Sequence, residues 1–243
     1  MNKEISGNKN NSISRTGQSK PISIAIDGPS GAGKSTLSQR AASRFGFMHV
    51  DTGAIYRTLG LYVKNCGVSP DDEKAVGELL KDAVIELTFD KCAGQRMLLC
   101  GEDVTDRIRT AEVSEYASKV SSIPEVRSYL LDMQRKLAEK HNVIMDGRDI
   151  GTVVLKDADL KIFLTAGVED RAMRRLYEFR SKNIDTDYEK VLQSIKWRDK
   201  NDSSRSQSPL FPAEDAVILD TTGNTLDESA VLIINVISER LGL

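Results

Sequence analysis

The stretch GPSGAGKS, residues 28–35, decides the fold, because it fits the pattern G-x-x-x-x-G-K-[ST]. An apolar run, ISIAID (22–27), precedes it, and a helical pattern, STLSQRAASRF (35–45), follows it. Glycines allow the backbone amides of such a turn to face phosphate oxygens, and the N-terminus of the next helix adds a positive dipole end. Strand, turn and helix in this order predict a phosphate-binding loop (P-loop).

Short apolar runs alternate with helical patterns along most of the chain. This rhythm predicts a parallel sheet flanked by helices. Most of the runs end in or beside a short polar residue, at the edge where α/β sheets bind ligands. We therefore predict an α/β fold with helices on both faces of a five-stranded parallel sheet, whose strands cover residues 22–27, 47–51, 142–146, 160–165 and 216–221.

The two ends and the middle of the chain differ from this core. Residues 1–20 are rich in Asn, Ser, Lys and Gly and predict a disordered tail. Residues 65–141 predict an α+β insertion, with a helix over 71–82, strands over 84–89 and 95–100 joined by a DKCAG turn, and two helical segments split at Pro124. The core then comprises 21–64 and 142–243.

The last helix has a clear start signal. Thr225 and Glu228 form a capping-box pattern ahead of an apolar stretch. We expect Val231, Ile234 and Ile237 to form the buried face of this helix.

Composition excludes several classes of function. A formal net charge of -2 does not favour polymeric nucleic acid or an anionic membrane. The longest apolar run, Ala230 to Ile234, is too short to span a bilayer, and the N-terminal stretch has no apolar signal region. The three cysteines are scattered and form no metal-binding pattern with the two histidines. We expect a soluble, cytoplasmic protein.

A P-loop alone leaves a switch, a motor and a transferase open. A guanine-binding N-K-x-D signature is missing, since the nearest string, DKND at 199–202, lacks the leading Asn. Phosphoryl transfer needs cations, and one segment of the chain is rich in arginine, although exposed arginines on a solvated helical face are the common case. The arginines are Arg171, Arg174, Arg175, Arg180, Arg198 and Arg205. The Ser-rich segment NDSSRSQSP (201–209) predicts a mobile connection of the kind that forms a lid.

Seven motifs together resemble the bacterial cytidylate kinases: GPSGAGKST, DTGAIYR, GEDVTDRIRT, ASKVSSIPEVR, MDGRDIGTVV, KIFLTA and WRDKNDSSR, in that order. The resemblance extends from Ile22 to the last helix. It implies a P-loop kinase core, a nucleoside-monophosphate-binding (NMP-binding) insertion at 65–141 and a mobile lid at about 174–211. It also implies ATP-dependent phosphorylation of CMP and dCMP in pyrimidine nucleotide metabolism, with Mg²⁺ as cofactor. A kinase for UMP or AMP, or an ATP-binding regulator without an acceptor, stays open, and we expect a monomer.

The P-loop pattern and the resemblance together imply roles for individual residues. Catalytic roles fall to Lys34, Arg148, Arg174 and Arg205. ATP binding falls to Gly28, Pro29, Ser30, Gly31, Ala32, Gly33, Lys34, Ser35 and Thr36, and Mg²⁺ to Ser35 and Asp146. CMP binding falls to Thr52, Tyr56, Arg57, Ser118, Arg127, Arg148, Asp149, Arg198, Asp202 and Arg205, with Asp149, Ser118 and Arg127 at the base and Arg198 and Asp202 at the ribose.

Overall fold

The computed structural model describes residues 20–90, 94–181, 183–205 and 208–243. The strands in these ranges are β1 (Ser23–Asp27), β2 (Met48–Asp51), β3 (Ile85–Asp90), β4 (Gly94–Leu99), β5 (Glu102–Asp103), β6 (Val143–Gly147), β7 (Leu160–Thr165) and β8 (Val217–Asp220). The α-helices are α1 (Lys34–Phe45), α2 (Thr52–Asn65), α3 (Glu73–Leu79), α4 (Ala111–Val120), α5 (Pro124–Lys140), α6 (Val168–Ser181), α7 (Tyr188–Ser203) and α8 (Leu226–Leu241). The predicted tail lies outside the described residues, apart from Lys20.

The core is the predicted five-stranded parallel sheet, with the strand order β2-β6-β1-β7-β8. Strand β6 therefore lies between β2 and β1, although it follows both by about ninety residues or more in sequence. Its register sets Asp146 beside Asp51 of β2 and Gly147 beside Asp27 of β1. The carboxyl ends of three strands thus meet at one edge, as expected for a ligand site in this fold.

Alternating side chains on the strands pack against helices on opposite faces of the sheet. Ile24, Ile26 and Ile144 are fully buried in a cluster with residues of α1 and α8. Ala25 and Met145, which point to the other face, join a second cluster with residues of α2, α4 and α5. This period of two is typical of a sheet that is covered on both sides, and it confirms the predicted architecture.

The insertion contains the predicted helix and hairpin. Helix α3 lies inside the predicted 71–82, and β3 pairs antiparallel with β4. Residues 91–93 of the predicted turn lie outside the described residues. A short third strand, β5, was not predicted and pairs with β4. The buried residues of the insertion belong to the same hydrophobic cluster as one face of the parallel sheet, so their packing fixes the insertion on the core.

The predicted face of the last helix is partly wrong. The capping box of Thr225 and Glu228 is present. However, Val231 is 58% exposed, and Ala230, Ile233 and Ile237 are the buried apolar residues. Their spacing of three and then four residues follows one side of an α-helix, whereas steps of three drift around it.

The region predicted as a lid includes the greater part of α6 and all of α7, and these two helices pack on each other through Ala172, Leu176, Val191 and Ile195. The prediction of a connection over 201–209 is wrong for its first three residues, because α7 continues to Ser203, and Arg198 also lies within this helix. Asp187 caps the helix by accepting from the amide of Lys190 at 2.8 Å. Residues 206 and 207 lie outside the described residues. None of the described helices is both long enough and apolar enough to cross a membrane.

Candidate active site

The P-loop has the backbone that its glycines predict. Gly28, Gly31 and Gly33 have φ values of 150°, 78° and 89°, which side-chain-bearing residues rarely adopt. At Gly28 an added Cβ atom would lie 1.9 Å from the carbonyl oxygen of Leu164 in β7. Only glycine therefore allows the loop to leave β1 against β7 at this point.

Lys34 lies buried at the start of α1, where its Nζ donates to the carbonyl oxygen of Pro29 at 2.8 Å. Burial, followed by the positive charge of Arg148, lowers the pKa of Lys34 to about 7. Since phosphate oxygens would supply negative charge at this position, the ammonium group is prepared for an anionic ligand and is destabilised without one.

The carboxylate of Asp146 is held on both sides. Its Oδ2 accepts from the Ser35 hydroxyl at 2.8 Å, and its Oδ1 lies 2.6 Å from Nε2 of His49 in β2. Burial opposes protonation of His49, but the hydrogen bond and the charge of Asp146 outweigh it and raise the pKa of His49. The sequence analysis missed His49, because no sequence spacing links it to Asp146; only the pairing of β2 with β6 does.

The DTGAIYR segment forms the first two turns of α2. Asp51 caps the helix by accepting from the amide of Ala54 at 3.0 Å, and it accepts from Arg57 Nη2 at 2.8 Å. Although burial opposes its ionisation, the charges of Arg57 and His49 hold the pKa of Asp51 below the ordinary value. Thr52 donates to the carbonyl oxygen of Asp146 at 2.8 Å, so its hydroxyl proton is already used. The buried Nε of Arg57 has no hydrogen-bond partner among the described residues.

Arg148 of the DGRD motif and Arg205, which follows α7, share the carboxylate of Asp202. Asp202 accepts from Nε of Arg148 at 2.7 Å with one oxygen and from Arg205 with the other. The buried Nε of Arg205 lacks a hydrogen-bond partner within the described ranges. The unpaired Nε–H groups of Arg205 and Arg57 are suited to an anionic ligand, because a buried N–H group without a partner is costly.

Arg198 is a poorly compensated cation of the site. Where the structure describes the chain, its guanidinium makes no hydrogen bond or salt bridge. Burial and then the positive charges of Arg175 and Arg148 lower the pKa of Arg198 to about 10. A group of like charges held together in a folded protein favours the binding of an anion.

The residues predicted for the base lie together. Arg127 of α5 pairs with Asp149, donates to the carbonyl oxygen of Ser121 at 3.1 Å and lies 5.9 Å from the ring centre of Tyr56. Burial raises the pKa of Asp149, and the charge of Arg127 opposes this. Ser118 accepts from the side-chain amide of Asn201 at 3.0 Å, which connects the insertion to lid helix α7.

Arg174 is held mainly by backbone carbonyl groups. Its guanidinium donates to backbone carbonyls of Ala32, Thr221 and Asn224, at 3.4, 2.5 and 3.4 Å. It therefore ties the P-loop to the loop between β8 and α8. By contrast, Lys34 and Arg148 are close enough for the charge of each to affect the other, and Arg148 reaches Arg205 through Asp202.

Two further supporting residues were not predicted. Asp27 accepts from the amides of Ile150 and Gly151 at 2.8 and 2.7 Å, so it fixes the segment that follows Arg148 and Asp149. Burial raises its pKa to about 6. Arg171, which the sequence left open as a solvated helix residue, is buried and donates to the carbonyl oxygen of Ser30 at 2.9 Å. The position of Asp27 at the end of a predicted strand could have identified it as a site residue. Nothing in the sequence indicated that Arg171 is buried.

A cavity of about 850 Å³ is lined by most of the predicted site residues, whereas Asp27, His49 and Arg171 do not line it. The P-loop, α2, α4, the DGRD motif and the lid all contribute to its walls. Of the predicted site residues, Gly28 and Pro29 do not line it. Those that do are Ser30, Gly31, Ala32, Gly33, Lys34, Ser35, Thr36, Thr52, Tyr56, Arg57, Ser118, Arg127, Asp146, Arg148, Asp149, Arg174, Arg198, Asp202 and Arg205.

Comparisons with known proteins identify relatives of the chain. The family model described as cytidylate kinase matches residues 24–239. The cytidylate kinase of Caldicellulosiruptor bescii is 52% identical over 209 residues, which cover 86% of this chain and 92% of that protein. The cytidylate kinase of Carboxydothermus hydrogenoformans is 45% identical over 217 residues, which cover 89% and 97%. In fold, the chain resembles the crystal structure of an uncharacterized protein from Eubacterium ventriosum, with a TM-score of 0.51, 14% identity and coverage of 90% and 99%. The match over most of the sequence and the high identity to these relatives show that the chain belongs to the cytidylate kinase family.

Proposed function

We propose that the protein transfers the γ-phosphoryl group of ATP to CMP and dCMP, giving ADP with CDP or dCDP. The observation that carries the proposal is the single cavity in which the P-loop faces the cations of α2, the DGRD motif and the lid. Two bound nucleotides bring two anionic phosphates together, and this cavity supplies a cation group for each. Family membership favours this reaction over an acceptor-free regulator.

The acceptor needs charge neutralisation more than a general base. A phosphate monoester has a second pKa of about 6, so its attacking oxygen is already deprotonated at neutral pH. Catalysis is then mostly positioning and electrostatic stabilisation. Arg57 would bind the acceptor phosphate with the Nε donor that has no partner among the described residues, while Lys34, Arg148 and Arg205 would stabilise the charge that develops between the two nucleotides.

The oxygen groups beside the P-loop suit Mg²⁺. The Ser35 hydroxyl and the Asp146 carboxylate are hydrogen-bonded to each other at 2.8 Å, and both are hard oxygen donors. Mg²⁺ usually takes one or two such protein ligands and completes its shell with water and substrate phosphates. We therefore propose that these two residues hold Mg²⁺ with ATP, where the ion would neutralise phosphate charge.

The base pocket suits cytosine. Its exocyclic amino group needs an acceptor, which Asp149 offers, and its ring N3 and O2 need donors, which Ser118 and Arg127 offer. Uracil places a carbonyl oxygen opposite the carboxylate. An unpaired buried polar group costs about 1–3 kcal/mol, so CMP should exceed UMP by roughly tenfold to several hundredfold in kcat/KM.

The residues that contact the ribose and the cellular location of the protein are predictions from the sequence. We assign Arg198 and Asp202 to the ribose by resemblance, and the loss of either should harm CMP more than dCMP only if the 2′-hydroxyl is the contact. A monomer, a cytoplasmic location and the lack of polymeric nucleic acid partners remain predictions from the sequence.

A coupled assay of ADP release tests the proposal. The protein is incubated with ATP and Mg²⁺ alone and then with CMP, dCMP, UMP or AMP in turn. We expect release that depends on CMP or dCMP, with UMP and AMP much slower. Equal release without any acceptor would indicate an ATP hydrolase, and a preference for UMP or AMP would replace the assigned acceptor.

A further inference from the structure

His49 makes a contact that none of the roles assigned above uses. It lies in the centre of β2, opposite Ile144 of the neighbouring strand β6, and its side chain is only 16% exposed. Its Nε2 is 2.6 Å from Oδ1 of Asp146. A histidine in this position is either a residue that packs and satisfies a core carboxylate or one that orients the carboxylate for a ligand.

The geometry of Asp146 distinguishes between these roles. The side chain of Asp146 is only 4% exposed, so each of its carboxylate oxygens needs a partner. One oxygen faces Ser35 at the P-loop, and His49 holds the opposite oxygen. The backbone carbonyl of Asp146 is fixed in addition by Thr52. Rotation of the carboxylate about the Cβ–Cγ bond of Asp146 is therefore limited by His49 at one oxygen and by Ser35 at the other.

We infer that His49 is a positioning residue that holds the Asp146 carboxylate in the orientation needed for Mg²⁺ bound with the donor nucleotide. This inference rests on the proposed metal role of Asp146. Groups that hydrogen-bond to metal-ligating carboxylates typically change metal affinity by about 10- to 100-fold when they are removed. A His49 with a packing role alone would change stability and leave the metal dependence of nucleotide binding unaltered.

Calorimetric titration with ADP separates the two roles without relying on turnover. The dissociation constant is measured once with Mg²⁺ and once with excess EDTA, for the unaltered protein and for His49→Leu, which removes the hydrogen bond but keeps an apolar side chain. We expect the constant for ADP with Mg²⁺ to rise about 10- to 100-fold. The dissociation constant measured in EDTA should change by no more than about twofold, because without Mg²⁺ the orientation of the Asp146 carboxylate does not affect ADP binding.

Two variants complete the design. His49→Gln can donate from its amide to Asp146 and should restore most of the Mg²⁺ preference. His141→Leu alters the other histidine, which is exposed at the end of α5, and should change neither constant. If His49→Leu does not fold, His49→Asn replaces it, because its shorter amide ends before the Nε2 position.

Each possible result either supports the role of His49 or contradicts it. Equal weakening with and without Mg²⁺, no weakening at all, or a failure of glutamine to restore the preference would overturn the role of His49. The variant Asp146→Asn separates the inference from its premise. If Asp146→Asn keeps the Mg²⁺ preference, the metal role of Asp146 is wrong and the inference falls with it. If it loses the preference while His49→Leu keeps it, only the role of His49 is wrong.

Discussion

Replacing Gly60 with alanine should destabilise the protein, whereas the same change at Gly77 should stabilise it. Both glycines lie inside helices, α2 and α3. At Gly60 an added Cβ would lie 2.8 Å from the backbone nitrogen and 3.2 Å from the Cα of Ala117 in α4. At Gly77 nothing lies within 4 Å. The two sites therefore differ in the space around the new methyl group.

The magnitudes follow from two opposing terms. Alanine is favoured over glycine in a helix interior by about 1 kcal/mol. Overpacking costs about 1–3 kcal/mol, and backbone atoms of Ala117 can yield only if the two helices separate. Gly77→Ala should gain up to about 1 kcal/mol, while Gly60→Ala should lose up to about 2 kcal/mol after the helix gain is subtracted. For a chain of this size, 1 kcal/mol shifts Tm by about 2–4 °C.

The separation of α2 and α4 in Gly60→Ala should also disturb the part of the site proposed to bind CMP. Helix α2 carries Tyr56 and Arg57, and α4 carries Ser118, next to the contacted Ala117. We expect Gly60→Ala to raise KM for CMP while KM for ATP changes little, because the P-loop does not lie on either helix. Thermal unfolding and steady-state kinetics of both variants test this. A higher Tm for Gly60→Ala, or equal changes in both KM values, would refute the reasoning.

Three further predictions concern the charges of the cavity. At pH 8, ADP binding should be accompanied by proton uptake at Lys34, because Lys34 with a pKa of about 7 is mostly neutral before a phosphate restores its charge; at pH 6, where Lys34 is already mostly charged, this uptake should be much smaller. Calorimetry in buffers of different ionisation enthalpy measures this, and Lys34→Arg, which stays charged, should abolish it. Asp149→Ala should narrow the ratio of kcat/KM between CMP and UMP, mainly by harming CMP; an unchanged ratio would place base recognition elsewhere. Arg205→Ala should lower kcat more than it raises KM for CMP, and a purely raised KM would contradict a role in the transition state.

The sequence was sufficient for the architecture because each strand is either buried on both faces or bounded by turn residues. ISIAID and NVIMD read as continuous apolar runs, and both became central strands. The P-loop was equally clear, since its glycines are required by backbone conformation and close packing. Helix faces were less certain, as Val231 shows, because a helix that is apolar almost all round does not reveal which side is covered.

The pairings within the site could not be predicted, because they depend on strand order and helix packing. His49 meets Asp146 across 97 residues of sequence, and Arg148 meets Asp202 across 54. Sequence motifs indicated that these arginines and carboxylates belong to one site. They did not indicate that Asp202 would pair with two of the arginines while Arg198 finds no hydrogen-bond partner in the described part of the chain.

The position of β6 explains how donor and acceptor sides are aligned. Asp146, at the end of this strand, binds Ser35 of the donor side through its carboxylate and Thr52 of the acceptor side through its backbone carbonyl. Ser35 and Thr52 lie at the starts of α1 and α2, the helices that follow β1 and β2, and both strands pair directly with β6. On the proposed assignment of the two nucleotides, the parallel sheet therefore sets the separation of their phosphates, whereas Arg198 and Arg205 come from the segment predicted as a lid. On this division, substitutions in the lid should alter charge stabilisation, whereas substitutions at the end of β6 should alter the alignment of the two nucleotides.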